Sequence, residues 1–515
     1  DRLDIDDSSQ PTALAFSPLG DYLFIAMQGN NEVKVLDTFS GSIIATLVTG
    51  LAPQGLAFDS ITDRLFVKNL NDRSVTAYDL TEALVEGNFN QPALATIDTV
   101  TNETFLADVL LGKQIFYNAE DERMGFEGYL SCATCHQDGD HDGRTWDFTD
   151  RGEGLRNTTN LRGRSGTAHG NVHWSANFDE IQDFDLDMVN AFGGDGFLDA
   201  VGGPNASLGA PNAGRNTELD ALAAYVTSLG IDTIEKSPHR NSNGSLTSDA
   251  LIGKRLFEGT LAAQSGNVLA CASCHNPLTE LTDSVVGQSV PPIELHDIST
   301  IKPSSGQRLE GGTNSLVGID TPTLLGLHAS APYLHDGSAT NVSAIFEQYD
   351  ASAALGQDGS AHDLSGSGYN LTTDEKNHLV AYLNQIDGTG VGNLLGAWLA
   401  SHGLGSGAET NDSDDDGLMD LGEYALGGDP TNEFDLGWQP TLVNDGGSFY
   451  YVHAQRIEDP SLSYTIETST NLIPGIWTNA EYTIMGTNLG SSLDFVTNTV
   501  PEGYEELYLR LRIDQ

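Results

Sequence analysis

The sequence predicts a multidomain protein in which two tandem, mainly α-helical units are flanked by all-β modules. Three observations carry that expectation. A strand-rich unit of roughly 40 residues is repeated near the start, the spacing of a four-stranded repeat. A G-K-x-[I/L]-F segment followed by C-x-x-C-H occurs twice in the middle, and the stretch from 433 onward alternates apolar and polar residues between turns. With 515 residues and 39% hydrophobic content the chain is globular and too long for one core, so three or four domains are expected.

The repeat near the start pairs residues 11–50, "PTALAFSPLGDYLFIAMQGNNEVKVLDTFSGSIIATL", with 52–84, "PQGLAFDSITDRLFVKNLNDRSVTAYDLTEA". Each runs through an A-F pair, a polar turn, an alternating strand and an aspartate turn. This is the pattern of a β-propeller blade, and it resembles the YVTN type of repeat. It places two blades within 1–86. A closed ring needs about four to eight. Either upstream blades are missing from the chain, or the open strand edges pair with something else, another copy of the chain included. A small β-meander packed on the next domain is the alternative.

From about residue 104 the pattern turns helical. "TFLADVLLGKQIFYN" precedes the first C-x-x-C-H and "SDALIGKRLFEGTL" the second. Two acidic-capped amphipathic stretches, 216–230 and 372–387, each carry A-Y near the end and correspond as closing helices. The middle of the chain therefore reads as an internal duplication, 87–240 and 241–392.

The four cysteines, Cys132, Cys135, Cys271 and Cys274, all belong to the two C-x-x-C-H units, which leaves none for a structural disulfide. C-x-x-C alone suits a redox dithiol or half a zinc site. A histidine directly after each second cysteine points instead to covalently attached c-type haem. Two thioethers anchor the haem vinyl groups while His136 or His275 reaches the iron. Two such haems make the duplicated units tandem cytochrome c domains, and place the protein outside the bacterial cytoplasm: periplasm, cell surface or secreted.

Charge narrows the partners. Asp and Glu number 73 against 23 Lys and Arg, a formal charge of −50, which argues against nucleic acid and anionic membrane surfaces. It suits salty or extracellular surroundings, or docking of basic partners. No apolar run approaches the roughly 18–20 residues of a membrane span. The opening "DRLDIDDSSQ" is no secretory signal peptide and reads as a mature or trimmed start from which an export signal has been lost.

Beyond the second unit, 393–432 reads as a linker holding "NDSDDDGLMDLGEYALGGDP". Asp412, Asp414, Asp416, Asp420 and Glu423 fall on positions 1, 3, 5, 9 and 12 of an EF-hand-like calcium loop, with the Leu418 carbonyl at position 7 and Gly417 at the sharp turn. A solvated acidic linker is the plain alternative. Residues 433–515, with "SFYYVHAQRI", "LSYTIETST" and "LYLRLRI", read as a small β-sandwich with no catalytic cluster.

The central region resembles a known family. "GIDTPTLLGLHASAPYLHDGSATNVSAIF" is similar to the second domain of bacterial diheme cytochrome c peroxidases and their MauG-like relatives, and the first unit agrees through G-K-x-I-F, S-C-A-x-C-H, R-N-T and "VHWSANFDEIQDF". The resemblance covers roughly 105–390. It implies that Cys132, Cys135 and His136 hold haem one, and Cys271, Cys274 and His275 haem two. It also implies that Trp174 lies between the haems and helps carry electrons, although a plain core aromatic would look the same. His335 and Asp336 would order the surroundings of haem two, and Arg156, Arg162 and Arg164 are candidate propionate partners.

Two departures bear on function. No methionine lies between His275 and residue 418, so haem two lacks the methionine ligand of the peroxidases and a low potential is expected. Tyr349 at the aligned position and His362 in "GSAHDLSGSG" are the alternatives, and neither ligating is the third. The loop "FTDRGEGLRNT" lacks the peroxidases' distal histidine, which leaves His173, His169 and His141 as candidate partners of haem one. If none ligates, that iron is open to peroxide, with a histidine or a carboxylate such as Glu180 as acid/base. The expected function is electron transfer between two haems and a redox partner protein, or another copy of the chain, within an extracellular assembly. Reduction of hydrogen peroxide or a MauG-like oxidation is the alternative enzyme reading, and a surface adhesion role the third.

Overall fold

The computed structural model describes residues 9–515 except 150–152, 199–201, 243, 285–294, 297, 299, 302–317, 347–370, 390–393 and 406–409. It also omits short gaps in the last segment, at 446–447, 458, 460–461, 474–475, 480–481, 489, 491–492, 502 and 505. Sizeable all-β regions and helical regions together make a multidomain chain.

The N-terminal region holds two four-stranded antiparallel meanders. β1 (Pro11–Phe16), β2 (Tyr22–Met27), β3 (Glu32–Asp37) and β4 (Ser42–Val48) form the first sheet. β5 (Pro53–Asp59), β6 (Arg64–Asn69), β7 (Ser74–Asp79) and β8 (Ala95–Asp98) form the second, with helix α1 (Thr81–Glu86) between the last two strands. The inward residues of both sheets, Phe24, Val33, Val35, Leu65, Val67 and Tyr78, merge into one core. Aspartates close the turns: Asp37 Oδ1 accepts the Phe39 and Ser40 N–H groups, and Asp59 Oδ1 that of Ile61. The second sheet runs to residue 98, past the expected boundary at 86. Its last strand is four residues long and exposed throughout, so no alternation marked it.

Two helical lobes follow. The first contains α2 (Ala107–Tyr117), the short α3 (Cys132–Cys135), the hairpin β9 (Thr145–Phe148) and β10 (Gly154–Asn157), α4 (Asp185–Asn190) and α5 (Thr217–Thr227). The second contains α6 (Ser248–Phe257), α7 (Val342–Ile345) and α8 (Thr373–Leu383). Side chains cap the starts: Asn216 Oδ1 accepts from the Glu218 and Leu219 N–H groups, and Thr372 forms a capping box with Glu375. In each lobe the glycine of G-K-x-[I/L]-F is where two helices touch. A Cβ on Gly112 would overlap the Ala221 carbonyl and lie 2.9 Å from the Tyr225 Cβ; one on Gly253 would overlap the His378 carbonyl and lie 2.9 Å from the Tyr382 Cβ. Helices are present in both lobes, but most of the described residues of each lie outside them. The Gly-, Asp- and Asn-rich segments between the helices have no helical period to bury.

The last region is partly helical before it is β. α9 (Leu394–Ser401) and α10 (Asp420–Leu426) lie inside the stretch read as a linker. Two sheets then form, β11 (Thr441–Asp445), β12 (Ser448–Arg456), β16 (Leu493–Thr499) and β15 (Ile484–Asn488) in one, and β14 (Thr478–Asn479), β13 (Ser463–Ser469) and β17 (Tyr508–Asp514) in the other. Leu426, Ala454 and Leu493 bury the end of α10 against them.

Candidate functional site: two cysteine–histidine cavities

The first cavity forms where α3 meets the α2–α5 pair. Ser131 caps α3, and the Thr134 hydroxyl accepts the Ser131 N–H at 3.0 Å. One helical turn carries Cys132 and Cys135, and the His136 N–H returns to the Cys132 carbonyl at 2.9 Å. His136 Nδ1 donates to the Asp140 carbonyl oxygen at 3.2 Å, which makes Nε2 the lone-pair nitrogen. Burial pushes this imidazole down to about 4, so it is neutral. These groups line a cavity of about 250 Å³ whose other walls include Phe116, Met188, Leu222 and Val226.

The second cavity repeats the plan with a 3-10 turn at Cys271–Ser273. The His275 N–H bonds the Cys271 carbonyl at 2.9 Å, and Nδ1 donates to the Leu281 carbonyl oxygen at 2.9 Å. The cavity is about 320 Å³ and is lined by Phe257, Phe346, Leu379 and Leu383 among others. Burial pushes the Cys132 and Cys135 thiols up to about 12 and Cys271 to about 11. A redox dithiol needs a lowered thiol pKa, so these pairs suit attachment rather than thiol exchange. A cysteine pair, a neutral imidazole with its lone pair on Nε2 and an apolar slot fit a covalently held haem in both places. When bound, such a group supplies one-electron chemistry at iron, tuned by its surroundings.

One wall is common to both cavities. Asn157, Thr158, Thr159, Arg164 and Trp174 line each of them. Trp174 Nε1 donates to the Asn157 carbonyl at 2.9 Å, and the Trp174 carbonyl accepts the Asp320 N–H of the second lobe at 3.0 Å. The ring stands edge-on to His335, with centroids 6.5 Å apart. The segment 172–178 is pinched shut by the Val172–Phe178 bridge and turns through left-handed His173 and Ala176. This holds His173 and Trp174 against the first cavity.

The other sequence candidates are distributed unevenly. His173 lines the first cavity; its Nδ1 donates to Asn177 Oδ1 at 2.8 Å and its Nε2 lies 3.7 Å from Asp187 Oδ2. Arg156 also lines it, paired with Glu153 at 2.6 Å. Arg164 sits in the common wall, where burial pushes it down to about 10. His169 lines neither cavity. Both its ring nitrogens are engaged by Arg164, at 2.9 Å to the carbonyl and 3.1 Å to the guanidinium, so it orients that arginine. His335 lines the second cavity, whereas Asp336 caps the local turn through the Ser338 N–H.

Three further candidates also stand away from both cavities. Glu180 is taken by the Asn212 and Ala213 N–H groups; the carboxylates that line the first cavity are Asp187, beside His173, and Glu153, paired with Arg156. Arg162 reaches outward to the Asp138 carbonyl and to Glu235. His141 spans the lobes at their surface, bonding the Ala329 carbonyl at 3.0 Å. Tyr349 and His362 lie outside the described residues.

With this geometry the chain can be set beside known proteins. No protein-family model matches it. It is 26% identical over 314 residues to hydrazine synthase subunit gamma of Kuenenia stuttgartiensis, covering 56% of this chain and 80% of that protein. Among solved structures, Kuenenia stuttgartiensis hydrazine synthase pressurised with xenon matches 56% of this chain and 90% of that one at 24% identity, with a TM-score of 0.34. A MauG-like protein associated with microbial copper homeostasis has the same coverages and identity and a TM-score of 0.36.

Sequence reasoning missed three groups. His296 lines the second cavity and bonds Asp283 at 2.7 Å, and Asp320 lines it too, pushed up to about 7 mainly by burial. Asp187 was the third. None sits in a recognisable spacing, and only the closure of the lobes brings them to the walls.

The acidic loop forms a separate centre. Carboxylate oxygens of Asp412, Asp414 and Asp416 lie within 4.8 Å of one another. Asp412 accepts the Asp416 and Gly417 N–H groups, and Asp416 that of Leu418. Asp420 is held by Ser413, through N–H at 3.0 Å and Oγ at 2.7 Å. Glu423 is fully buried with neither carboxylate oxygen hydrogen-bonded, and one oxygen each of Asp414 and Asp416 is also without a partner. Burial, then the facing Asp414 and Asp416, push Glu423 up to about 8. Converging buried carboxylate oxygens with no donor suit a hard divalent cation. Among the described residues no helix is long and apolar enough to cross a membrane.

Proposed function

We propose that the chain is an extracytoplasmic diheme c-type cytochrome that passes electrons between two haems and a protein redox partner. Cys132, Cys135 and His136 hold one haem, and Cys271, Cys274 and His275 the other, each in a tandem cytochrome c unit. The observation that carries the reading is the wall shared by the two cavities, with Trp174 in it. A tryptophan whose ring nitrogen bonds the first lobe and whose backbone carbonyl bonds the second offers a fixed route between the two sites. Arg164, oriented by His169, places a buried positive charge beside both haem positions and favours their reduced or propionate-bearing, more negative forms. The curated relative is by name one subunit of an enzyme, which supports work against a protein partner. The N-terminal sheets are read as two propeller blades, and their outer strands β4 and β8 offer open edges for a partner or a second copy. The acidic loop is read as a calcium site.

Replacing Trp174 with Phe tests the route. Transient reduction should show slower equilibration between the haems with both spin states unchanged in the oxidised spectrum. Unchanged equilibration sinks the route.

A second reading, reduction of hydrogen peroxide at haem one, draws on His173. Its Nδ1 is held by Asn177 and the Asp187 carboxylate lies 3.7 Å from its Nε2, which sets an imidazole and a carboxylate side by side at the wall of that cavity, the pair that acid/base work needs. Electron paramagnetic resonance of the oxidised protein separates the two: a high-spin haem one with peroxide turnover favours the enzyme, and two low-spin haems without turnover favour the wire.

A further inference from the structure

The acidic loop and the second cavity are joined by a continuous set of buried contacts. Asp420 and Glu423 belong to α10, so the helix starts inside the loop. The next turn of α10 is locked into the sandwich. Tyr424 Oη donates to Asp459 at 2.9 Å, Arg456 Nε donates to the Tyr424 carbonyl at 2.5 Å, and the Arg456 guanidinium lies 4.2 Å over the Tyr424 ring. The Tyr464 hydroxyl donates to the Ala425 carbonyl at 3.1 Å.

Directly after Arg456, the Ile457 carbonyl accepts Lys254 Nζ at 2.6 Å, and Asp494 on β16 pairs with Arg255. Both cations are on α6 and are 6% and 5% exposed. Two residues further along the same helix, Phe257 lines the second cavity, its ring 6.3 Å from that of His275. The sequence of contacts is thus loop, α10, β12 and β16, α6, second cavity.

We propose that a calcium ion in the Asp412–Glu423 loop is the clasp that keeps the C-terminal sandwich seated on α6, and so sets the packing of the second cysteine–histidine cavity but not the first. This rests on the calcium reading of the loop. Without the cation, the half-buried carboxylates of Asp412, Asp414 and Asp416 face one another within 4.8 Å with nothing to balance them, and their repulsion loosens the loop that opens α10. With it, α10 is fixed at its first turn, and the sandwich residues that grip Lys254 and Arg255 are fixed with it. Among the described residues α2 makes no such ion pair with the N-terminal sheets; it meets them through Gln114, which donates to the Asn71 carbonyl at 3.0 Å.

The test uses the full haem-loaded chain, stripped with EDTA and titrated with calcium over roughly 10⁻⁶ to 10⁻³ M, the span of such loops. Calorimetry reads binding, and hydrogen exchange reads the helices. One calcium should bind, and its removal should speed amide exchange across 250–257 on the order of tenfold, with 109–117 unchanged. Glu423→Gln should reproduce the stripped state in calcium buffer, and EDTA alone provides the same comparison if that variant folds poorly. Asp494→Asn should still bind calcium while exchange in α6 becomes fast and insensitive to it. Calcium binding with no change in α6 overturns the clasp and leaves the site standing. Absence of binding overturns the site itself.

Discussion

The two lobes use one plan and dock different modules. Each presents a G-K-x-[I/L]-F helix whose glycine touches the closing helix four residues before a buried tyrosine, Gly112 with Tyr225 and Gly253 with Tyr382. Each leads into a cysteine pair and a histidine whose Nδ1 is held by a backbone carbonyl. Two residues past each glycine, the plan diverges. Gln114 makes a neutral hydrogen bond to the second N-terminal sheet, whereas Arg255 makes a buried ion pair with the sandwich. The walls diverge as well: His173 with Asp187 faces the first cavity, and His296 with Asp283, together with Asp320, the second. Where duplicated lobes agree, packing of a common helix pair is the cause. Where they differ, the environment each must meet is the cause.

The sharpest way to break the comparison is at the docking residues. Arg255→Leu leaves the half-buried Asp494 without its cation and should cost about 3 kcal/mol or slightly more in denaturant unfolding, with the sandwich becoming protease-sensitive. A loss below about 1 kcal/mol, the scale of a surface pair, would mean that the sandwich is seated by something else. Next come the glycines. Gly112→Val and Gly253→Val should each destabilise the chain by about 3 kcal/mol, because the added carbons meet backbone carbonyls that cannot yield. Tolerance in one lobe alone would show that the two helix pairs are not equivalent.

A smaller effect separates the cavities electrostatically. Asp320 is pushed from 3.8 to about 7, mainly by burial, with Ser284 and Arg164 pulling the other way. The folded group holds its proton more tightly than the unfolded one. Its stabilisation is therefore complete below about pH 4 and is lost as pH rises through about 7. Ionisation places a negative charge beside the second site, so the potential of haem two should fall between pH 6 and 8 by up to about 59 mV per pH unit. Redox titration of Asp320→Asn should flatten that slope while haem one keeps its own. The smallest effect is at the neutral dock: Gln114→Leu should cost about 1 kcal/mol by thermal unfolding, well under the Arg255 change.

The readable parts of the sequence are those whose geometry is local. C-x-x-C-H closes within one turn, so its spacing alone brings two cysteines and a histidine to one wall. The D-x-D-x-D-G loop likewise converges its carboxylates without help from the rest of the chain, and G-K-x-[I/L]-F repeated twice already announced a helix that must approach another closely. Trp174 entered through resemblance to a family rather than through any spacing. Glu180 illustrates the limit: as sequence it is an acid near the histidine–tryptophan pair, but the backbone of Asn212 and Ala213, far along the chain, captures it. Asp187 and His296 carry no signal at all.

The sequence by itself determined that each cysteine pair meets its histidine and that the acidic side chains of one loop face one another, because those arrangements depend on residues a few positions apart. Only the tertiary structure decided which side chains share a wall between the two cavities, which carboxylate faces His173, and which β module rests on which helix. Those outcomes depend on closing loops tens to hundreds of residues long, and burial of apolar surface, not local spacing, selects how such loops close.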